Sequence, residues 1–304
     1  MLEPGEVSVS REEVVLVTGA SIGLGLAIAQ ALMTTPRRLI LTARVSSMKR
    51  FAEAGVVESD RIWLRPLDVT NAEQRVAIIE EAAEKWGGID VLINNAGISY
   101  RSVVEHVQEE ERLAQMGINF RAPMELTRLV LPGMRARRYG RIINISSVGG
   151  MMAMPTMAVY SASKFALEGA SESMWYEVRP WGISVTLVEP GFIRSSSFEK
   201  VRLTEMSAAS RSDDADPYHT HYARMEPFIA RMMSLSLVTP KRIARRVLRL
   251  MDHPDPPLRA GVTPDAMVFD LLRRFLPRRL YHWILYRSLP KIRTWGAPAL
   301  TKRD

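Results

Sequence analysis

The 304-residue sequence predicts an α/β protein built on a doubly wound parallel sheet. Three observations predict it. Short apolar, β-branched runs alternate with longer stretches rich in helix formers, the first run leads directly into a glycine-rich turn, and no solenoid repeat or low-complexity linker breaks the alternation before about residue 250.

The elements follow in order. Val14–Val17 reads as a buried strand, Thr18–Gly25 as a glycine-rich turn and Leu26–Met33 as a helix, the first half of a dinucleotide-binding βαβ unit (Rossmann fold). Gly19, Gly23 and Gly25, with Ser21 and Ile22 between them, let the backbone turn tightly and approach a pyrophosphate, to which the helix start offers free N–H groups. Arg38–Ala43 is the second strand. An acid at its end would bind the ribose 2′-hydroxyl of NAD; Ala43 and Arg44 stand there instead. A guanidinium pairs with a 2′-phosphate that a carboxylate would repel, so NADP(H) is favoured, with NAD(H) as the alternative and Arg44 then a solvated residue. Ile62–Val69 is the third strand and carries Asp68. A helix runs from Asn71 to Trp86 and stops at Gly87-Gly88. Ile89–Ile93 is the fourth strand, ending in Asn94-Asn95-Ala96-Gly97. Helices span Gln108–Met116 and Ala122–Arg138. Gly140–Ile145 is the fifth strand and runs into Ser146-Ser147; a helix holding Tyr160 and Lys164 lasts to about Arg179; Ile183–Val188, stopped by Pro190-Gly191, is the sixth.

Composition narrows the function. An apolar fraction of 47% and a charged fraction of 24% are those of an ordinary globular protein. The absence of cysteine excludes disulfides, thiolate metal sites and Cys nucleophiles, and suits a reducing compartment. The start is not a secretory signal, and no apolar run reaches about 18 residues, so a cytoplasmic protein is expected. The five histidines form no ligand set with matching carboxylates, so no metal is expected. The net charge of +8 is uneven: from Pro264 to Asp304 nine Lys or Arg stand against three acids.

Tyr160 and Lys164, four residues apart, share one face of a helix. A fixed cation beside a phenol pulls its pKa down from about 10 and lets it exchange a proton with an alcohol or ketone. Taken with TGASIGLG (Thr18–Gly25), Asp68, NNAG (Asn94–Gly97), Asn119, NISS (Asn144–Ser147) and PGFIRS (Pro190–Ser195), YSASK (Tyr160–Lys164) makes the chain resemble the short-chain dehydrogenase/reductase family over roughly residues 12 to 262. The resemblance implies a nicotinamide-dependent oxidoreductase with Tyr160 as general acid/base. Lys164 would lower its pKa and bind the nicotinamide ribose, and Ser147, thirteen positions upstream, would hydrogen-bond the substrate oxygen, with Ser146 the adjacent candidate. Asn119 would hold a relay water, or else mark a helix kink. Asp68 with Val69, and Asn95 with Ala96 and Gly97, would lie along the adenosine side of the cofactor. Asn94 would tie neighbouring strands, and Pro190, Gly191, Ile193 and Ser195 would flank the nicotinamide. Ser195 replaces the family's usual Thr but keeps the hydroxyl. The basic residue that NADP users often carry in the glycine-rich turn is absent, which leaves Arg44 as the main support for NADP. The family also implies a homo-oligomer, a dimer or tetramer.

Residues 192 to 240 are expected over the active site, with a polar, mobile middle at Ser207–Asp216. Phe198, Met206, Tyr218, Tyr222, Met225, Phe228, Met232 and Met233, with Met151, Met152, Met154 and Met157, suggest a roomy apolar pocket for a bulky hydrophobic ketone or secondary alcohol, such as a steroid, retinoid or lipid-like carbonyl. Core filling is the other reading of these side chains. Residues 1–262 are taken as the cofactor-binding and catalytic domain and 263–304 as a basic amphipathic extension, which could lie on a membrane surface, cover the pocket or pack on a partner subunit. No nucleic-acid recognition motif accompanies its charge. Two rivals to this NADP-dependent oxidoreductase are a non-catalytic NADP-sensing scaffold and an NAD-dependent dehydrogenase of a smaller alcohol.

Overall fold

The computed structural model describes residues 12–194 and 201–296. Its strands are β1 (Val14–Val17), β2 (Arg38–Ala43), β3 (Ile62–Pro66), β4 (Val91–Asn94), β5 (Gly140–Ile145), β6 (Ile183–Glu189) and β7 (Arg259–Gly261). They form one parallel sheet in the order β3-β2-β1-β4-β5-β6-β7. The helices are α1 (Gly23–Met33), α2 (Lys49–Glu53), α3 (Ala72–Trp86), α4 (Glu109–Met116), α5 (Ala122–Arg137), α6 (Ala158–Val178), α7 (Glu205–Ser212), α8 (His219–Leu235), α9 (Pro240–Asp252), α10 (Pro264–Phe275) and α11 (Arg278–Ser288). This is a single Rossmann-type domain with a helical C-terminal region.

Both faces of the sheet are covered, which is why its strands read as unbroken apolar runs. Side chains alternate across the pleat. Val15 and Val17 enter one core with Ile28 and Leu32 of α1 and Ile243 and Val247 of α9. Val14 and Leu16 enter the other with Ile78 of α3, Leu126 of α5 and Met174 of α6. Burying each such aliphatic side chain contributes about 1.5–3 kcal/mol. Trp86 at the end of α3 stacks on Trp63 of β3, ring centres 3.6 Å apart. Asn71 caps α3 by accepting from Gln74 N at 2.8 Å, and Gly87 ends it at φ 74°.

Strand order reverses between β1 and β4, so a crevice opens at their carboxyl ends, the usual ligand position in open α/β sheets. Two parts differ from expectation. β7 was not foreseen; it has three residues, Arg259, Ala260 and Gly261, which carry no strand pattern and are held by pairing with β6. The polar stretch starting at Ser207 is not loop throughout. It begins inside α7, where Thr204 Oγ1 caps by accepting from Ser207 N at 3.1 Å, Ser207 and Ser210 are buried, and Ser210 Oγ donates to Asp216 Oδ1 at 2.6 Å. Serines bonded inward this way order a segment whose composition resembles a loop.

The chain after Val262 forms a helical hairpin. Thr263 caps α10, and Pro277 separates α10 from α11. Its inner face, including Phe269, Leu272, Leu276 and Tyr281, packs on Val148, Met151 and Met152 of the segment after β5. Arg273 donates to the carbonyl of Met151. Among the described residues no helix is long and apolar enough to cross a membrane.

Candidate active site

The carboxyl ends of β1, β2, β4 and β5 border a cleft of about 620 Å³. Its floor is the glycine-rich turn. Thr18 Oγ1 accepts from Asn95 N and Ala96 N, both at 3.0 Å, while Asn95 Nδ2 donates to the carbonyls of Thr18 (3.0 Å) and Gly19 (3.1 Å). Gly19 has φ +63°, and a Cβ there would lie 3.0 Å from Ala96 Cα. A Cβ on Gly25 would collide with the Gly19 carbonyl and the Asn95 amide. This bare backbone in front of α1, whose N-cap Ile22 makes no side-chain hydrogen bond, fits a pyrophosphate.

Most of the cofactor residues read from the sequence meet here: Gly19, Ser21, Ile22, Gly23, Gly25, Arg44, Asp68, Val69, Asn95, Ala96, Gly97 and Pro190 all line the cleft, with Tyr160 and Lys164. Gly191 and Ile193 do not line it. Gly191 N donates to Thr263 Oγ1 (2.9 Å), Phe192 N to Asp265 Oδ2 (2.8 Å), and Ile193 packs against the core around β1. Ser195 and Phe198 fall outside the described residues. Asp68 is held below the usual carboxylate range by the Thr70 hydroxyl (2.7 Å), helped by the Thr70 N–H and the Arg44 charge. Asn94 has the tying role expected of it: its Nδ2 donates to Asn144 Oδ1 at 2.8 Å between β4 and β5.

Tyr160 and Lys164 stand on successive turns of α6. Ser147 faces Tyr160 from the end of β5, and its Oγ accepts from Gly149 N at 3.0 Å. Burial pushes the Tyr160 phenol up, and a hydrogen bond from Ser147 works against that rise. Lys164 follows one turn further along α6. Its ammonium lies 5.9 Å from the ring centre and donates to the Ile145 carbonyl at 2.9 Å. Burial moves Lys164 itself down to about 8. For Tyr160, desolvation outweighs the Ser147 bond.

Asn119 sits fully buried in a π-helical turn, Gly117–Arg121. Its Nδ2 donates to Ile98 O (2.8 Å) and Ser163 Oγ (3.0 Å), and its Oδ1 accepts from Ile98 N (2.9 Å). A second lone pair remains on Oδ1. A Cβ on Gly97 would meet both Asn119 Oδ1 (3.3 Å) and Lys164 Nζ (3.9 Å), so the glycine keeps the space between them. Neither Asn119 nor Ser147 lines the cleft itself, whereas Ser146 does.

Sequence reading missed Ser47, Arg50 and Thr70, which also border the cleft; Arg202, one of the arginines of the segment over the site that keep a charged substrate open, borders it too. Arg50 is six residues beyond Arg44; a short 3-10 turn at Val45–Ser47 followed by α2 carries it back to the cleft. The nearby Lys49-Arg50 pair was the available signal. None of the methionines named from the sequence borders this cofactor cleft. Met151 and Met152 pack under the C-terminal hairpin, and Met225 is buried within α8. Packing places these three side chains in the core. Among the described residues no group of three or more His, Asp or Glu could hold a metal ion.

The fold and this cleft define a nicotinamide-type oxidoreductase architecture. Residues 13–206 match the family model described as short chain dehydrogenase, and the chain belongs to that family. It is 32% identical over 282 residues to a 3-ketodihydrosphingosine reductase of Bacteroides thetaiotaomicron, covering 90% of this chain and 96% of that one. A short-chain dehydrogenase structure from Streptomyces avermitilis is 31% identical with a TM-score of 0.74, covering 91% of this chain and 98% of the other. A metagenomic short-chain oxidoreductase in complex with NADP is 26% identical with a TM-score of 0.63, over 82% and 96% of the two chains.

Proposed function

We propose that the protein interconverts a bulky hydrophobic ketone and its secondary alcohol with NADP(H), using Tyr160 as general acid/base. The observation that carries the reading is the pairing of the Ser147 and Tyr160 hydroxyls at the carboxyl end of β5, with Lys164 one turn further along α6. The glycine-rich turn, Asp68, Asn95 and Pro190 would hold the cofactor, which when bound supplies or accepts the hydride. Ser147 donates to the substrate oxygen and stabilises charge growing there. Tyr160 passes its hydroxyl proton to that oxygen. The phenolate left behind is stabilised by the Lys164 ammonium, which can return a proton because burial has brought it to about 8. The free lone pair of Asn119 Oδ1, beside Lys164 across Gly97, suits a bridging water to solvent.

The preference for NADP(H) rests on Ala43 where an acid would select NAD, on Arg44 and Arg50 at the cleft, and on the NADP complex of the metagenomic relative. The hydrophobic substrate rests on the ketone named in the Bacteroides relative.

The test is a panel of apolar ketones and alcohols assayed in parallel with NADPH and NADH, on the wild-type protein and on Tyr160→Phe. Turnover should fall by about 10²–10⁴-fold in the variant while the NADPH Kd stays put. A variant that turns over at the wild-type rate rules the mechanism out.

A further inference from the structure

The hairpin of α10 and α11 has two faces, and only the inner one is accounted for by packing. On the outer side of α10, Met267, Leu271 and Phe275 follow one another at i, i+4 and i+8, exposed by 53%, 56% and 75%. On α11, Leu280, Trp283 and Tyr286 are exposed by 42%, 56% and 58%. Isolated exposed apolar residues are ordinary; a ridge of them across two adjoining helices marks an interaction surface.

The charge around the ridge identifies its partner. Arg274 flanks the α10 stripe, Arg279 and Arg287 lie among the α11 residues, and Arg278, Lys291 and Arg293 complete a basic rim. The two acids of the hairpin are engaged: Asp265 accepts from Phe192 N, and Asp270 pairs with Arg274. Among the described residues no ion pair involves Arg278, Arg279, Arg287, Lys291 or Arg293. The Arg287 guanidinium lies over the Trp283 ring at 5.3 Å. Aromatic rings interleaved with arginine on an apolar face match a headgroup boundary, where the rings sit among acyl carbons and the cations meet lipid phosphates.

We infer that the outer face of the α10–α11 hairpin docks on the surface of an anionic lipid bilayer. A second copy of the chain fits less well, because a twofold contact would set one basic rim against the other. The helices lie on the bilayer rather than crossing it: 12 and 11 residues span about 16–18 Å of a hydrocarbon core about 30 Å thick. Since the inner face of the hairpin covers Val148, Met151 and Met152, docking sets the segment after Ser147 close to the lipid. The docking does not depend on which substrate the site takes.

The experiment is sedimentation of the full chain with vesicles of phosphatidylcholine alone or mixed with phosphatidylglycerol. The wild-type protein should pellet with the mixed vesicles, less so as salt rises, and stay in solution with the neutral ones. Leu271→Ser/Phe275→Ser/Trp283→Ser should weaken pelleting at least about tenfold, and Arg278→Ala/Arg279→Ala by roughly fivefold for each charge. Unchanged NADPH binding by these variants would show that they fold. Should the triple variant fail to fold, quenching of Trp283 by brominated phosphatidylglycerol, read against Trp283→Phe, serves in its place. No pelleting of the wild type, equal pelleting with neutral vesicles, or no effect of the triple substitution overturns the inference. So does a wild-type dimer in sedimentation velocity that the triple substitution dissociates without any vesicle binding.

Discussion

The half of the molecule around β1, β2 and β4 and the half formed by α7, α8 and the C-terminal hairpin solve different problems. The first builds a site from backbone. Its key contacts are Thr18 with Asn95 and Ala96, and the close approach of Gly25 to Gly19, all at the ends of buried strands. The second builds a cover from side chains. Tyr222, buried in α8, accepts from Val103 N at 3.1 Å and bonds His106 Nδ1 at 3.0 Å, tying α8 to the segment after β4. Backbone sites tolerate almost no added atoms, whereas side-chain networks can lose a member and hold their shape at a cost in stability. The contrast predicts opposite signatures for changes in the two regions.

The largest effect is expected at Gly25→Ala. The added carbon meets backbone and a bonded amide, so overpacking of about 1–3 kcal/mol should appear as a roughly 5- to 150-fold loss of NADPH affinity, read by titration calorimetry. Affinity equal to wild type would mean that the turn is looser than its geometry. Tyr222→Phe should behave the other way. It strips a partner from the buried Val103 N–H and costs about 1–3 kcal/mol of stability, about 2–4 °C of melting temperature per kcal/mol, while the NADPH Kd holds. A shift in Kd without a shift in melting would erase the division. Arg44→Ala should weaken NADPH about tenfold, about 1.4 kcal/mol, and leave NADH unaltered; equal weakening of both would reduce Arg44 to a solvated residue.

The smallest effect concerns Glu189 at the end of β6, which lies beside Arg259. Burial, together with the Asp270 charge, raises its carboxyl from 4.5 to about 7. Below about 4.5 the group is protonated folded and unfolded alike, and its contribution is fully present. Between 4.5 and about 7 the unfolded chain releases the proton that the folded protein keeps, so stability falls as pH rises and the contribution is gone above that range. Glu189→Gln should therefore raise the melting temperature at pH values above about 7 and change it little below 4.5. A gain confined to acid pH would contradict this.

The same contrast explains what the sequence made legible. Strands buried on both faces must be apolar and β-branched, and a backbone cradle needs glycine, so Val14–Val17, Thr18–Gly25 and the Asn94–Gly97 turn declared themselves. Asn119 left two readings because an amide in a π-turn carries no periodic signal. Arg259, Ala260 and Gly261 are a strand only because β6 offers an edge. α7 hid behind a serine-rich composition that forms a helix through Thr204 and the buried serines. The methionines left two readings because size and softness suit a core as well as a pocket; for Met151 and Met152 tertiary packing under the hairpin gives core.

The bonds that Thr263 and Asp265 accept from Gly191 and Phe192 also bear on how the protein can be dissected. A chain cut after residue 262, where composition suggests a natural end, would lose both acceptors and leave two N–H groups of the Pro190–Ile193 loop without them. Shortening the gene there would therefore not yield a minimal enzyme with its appendage removed. It would loosen the cradle itself, and a lost activity in such a fragment would report on that loop as much as on the missing helices. Point changes on the outer surface of the hairpin leave these acceptors in place and keep the two effects apart.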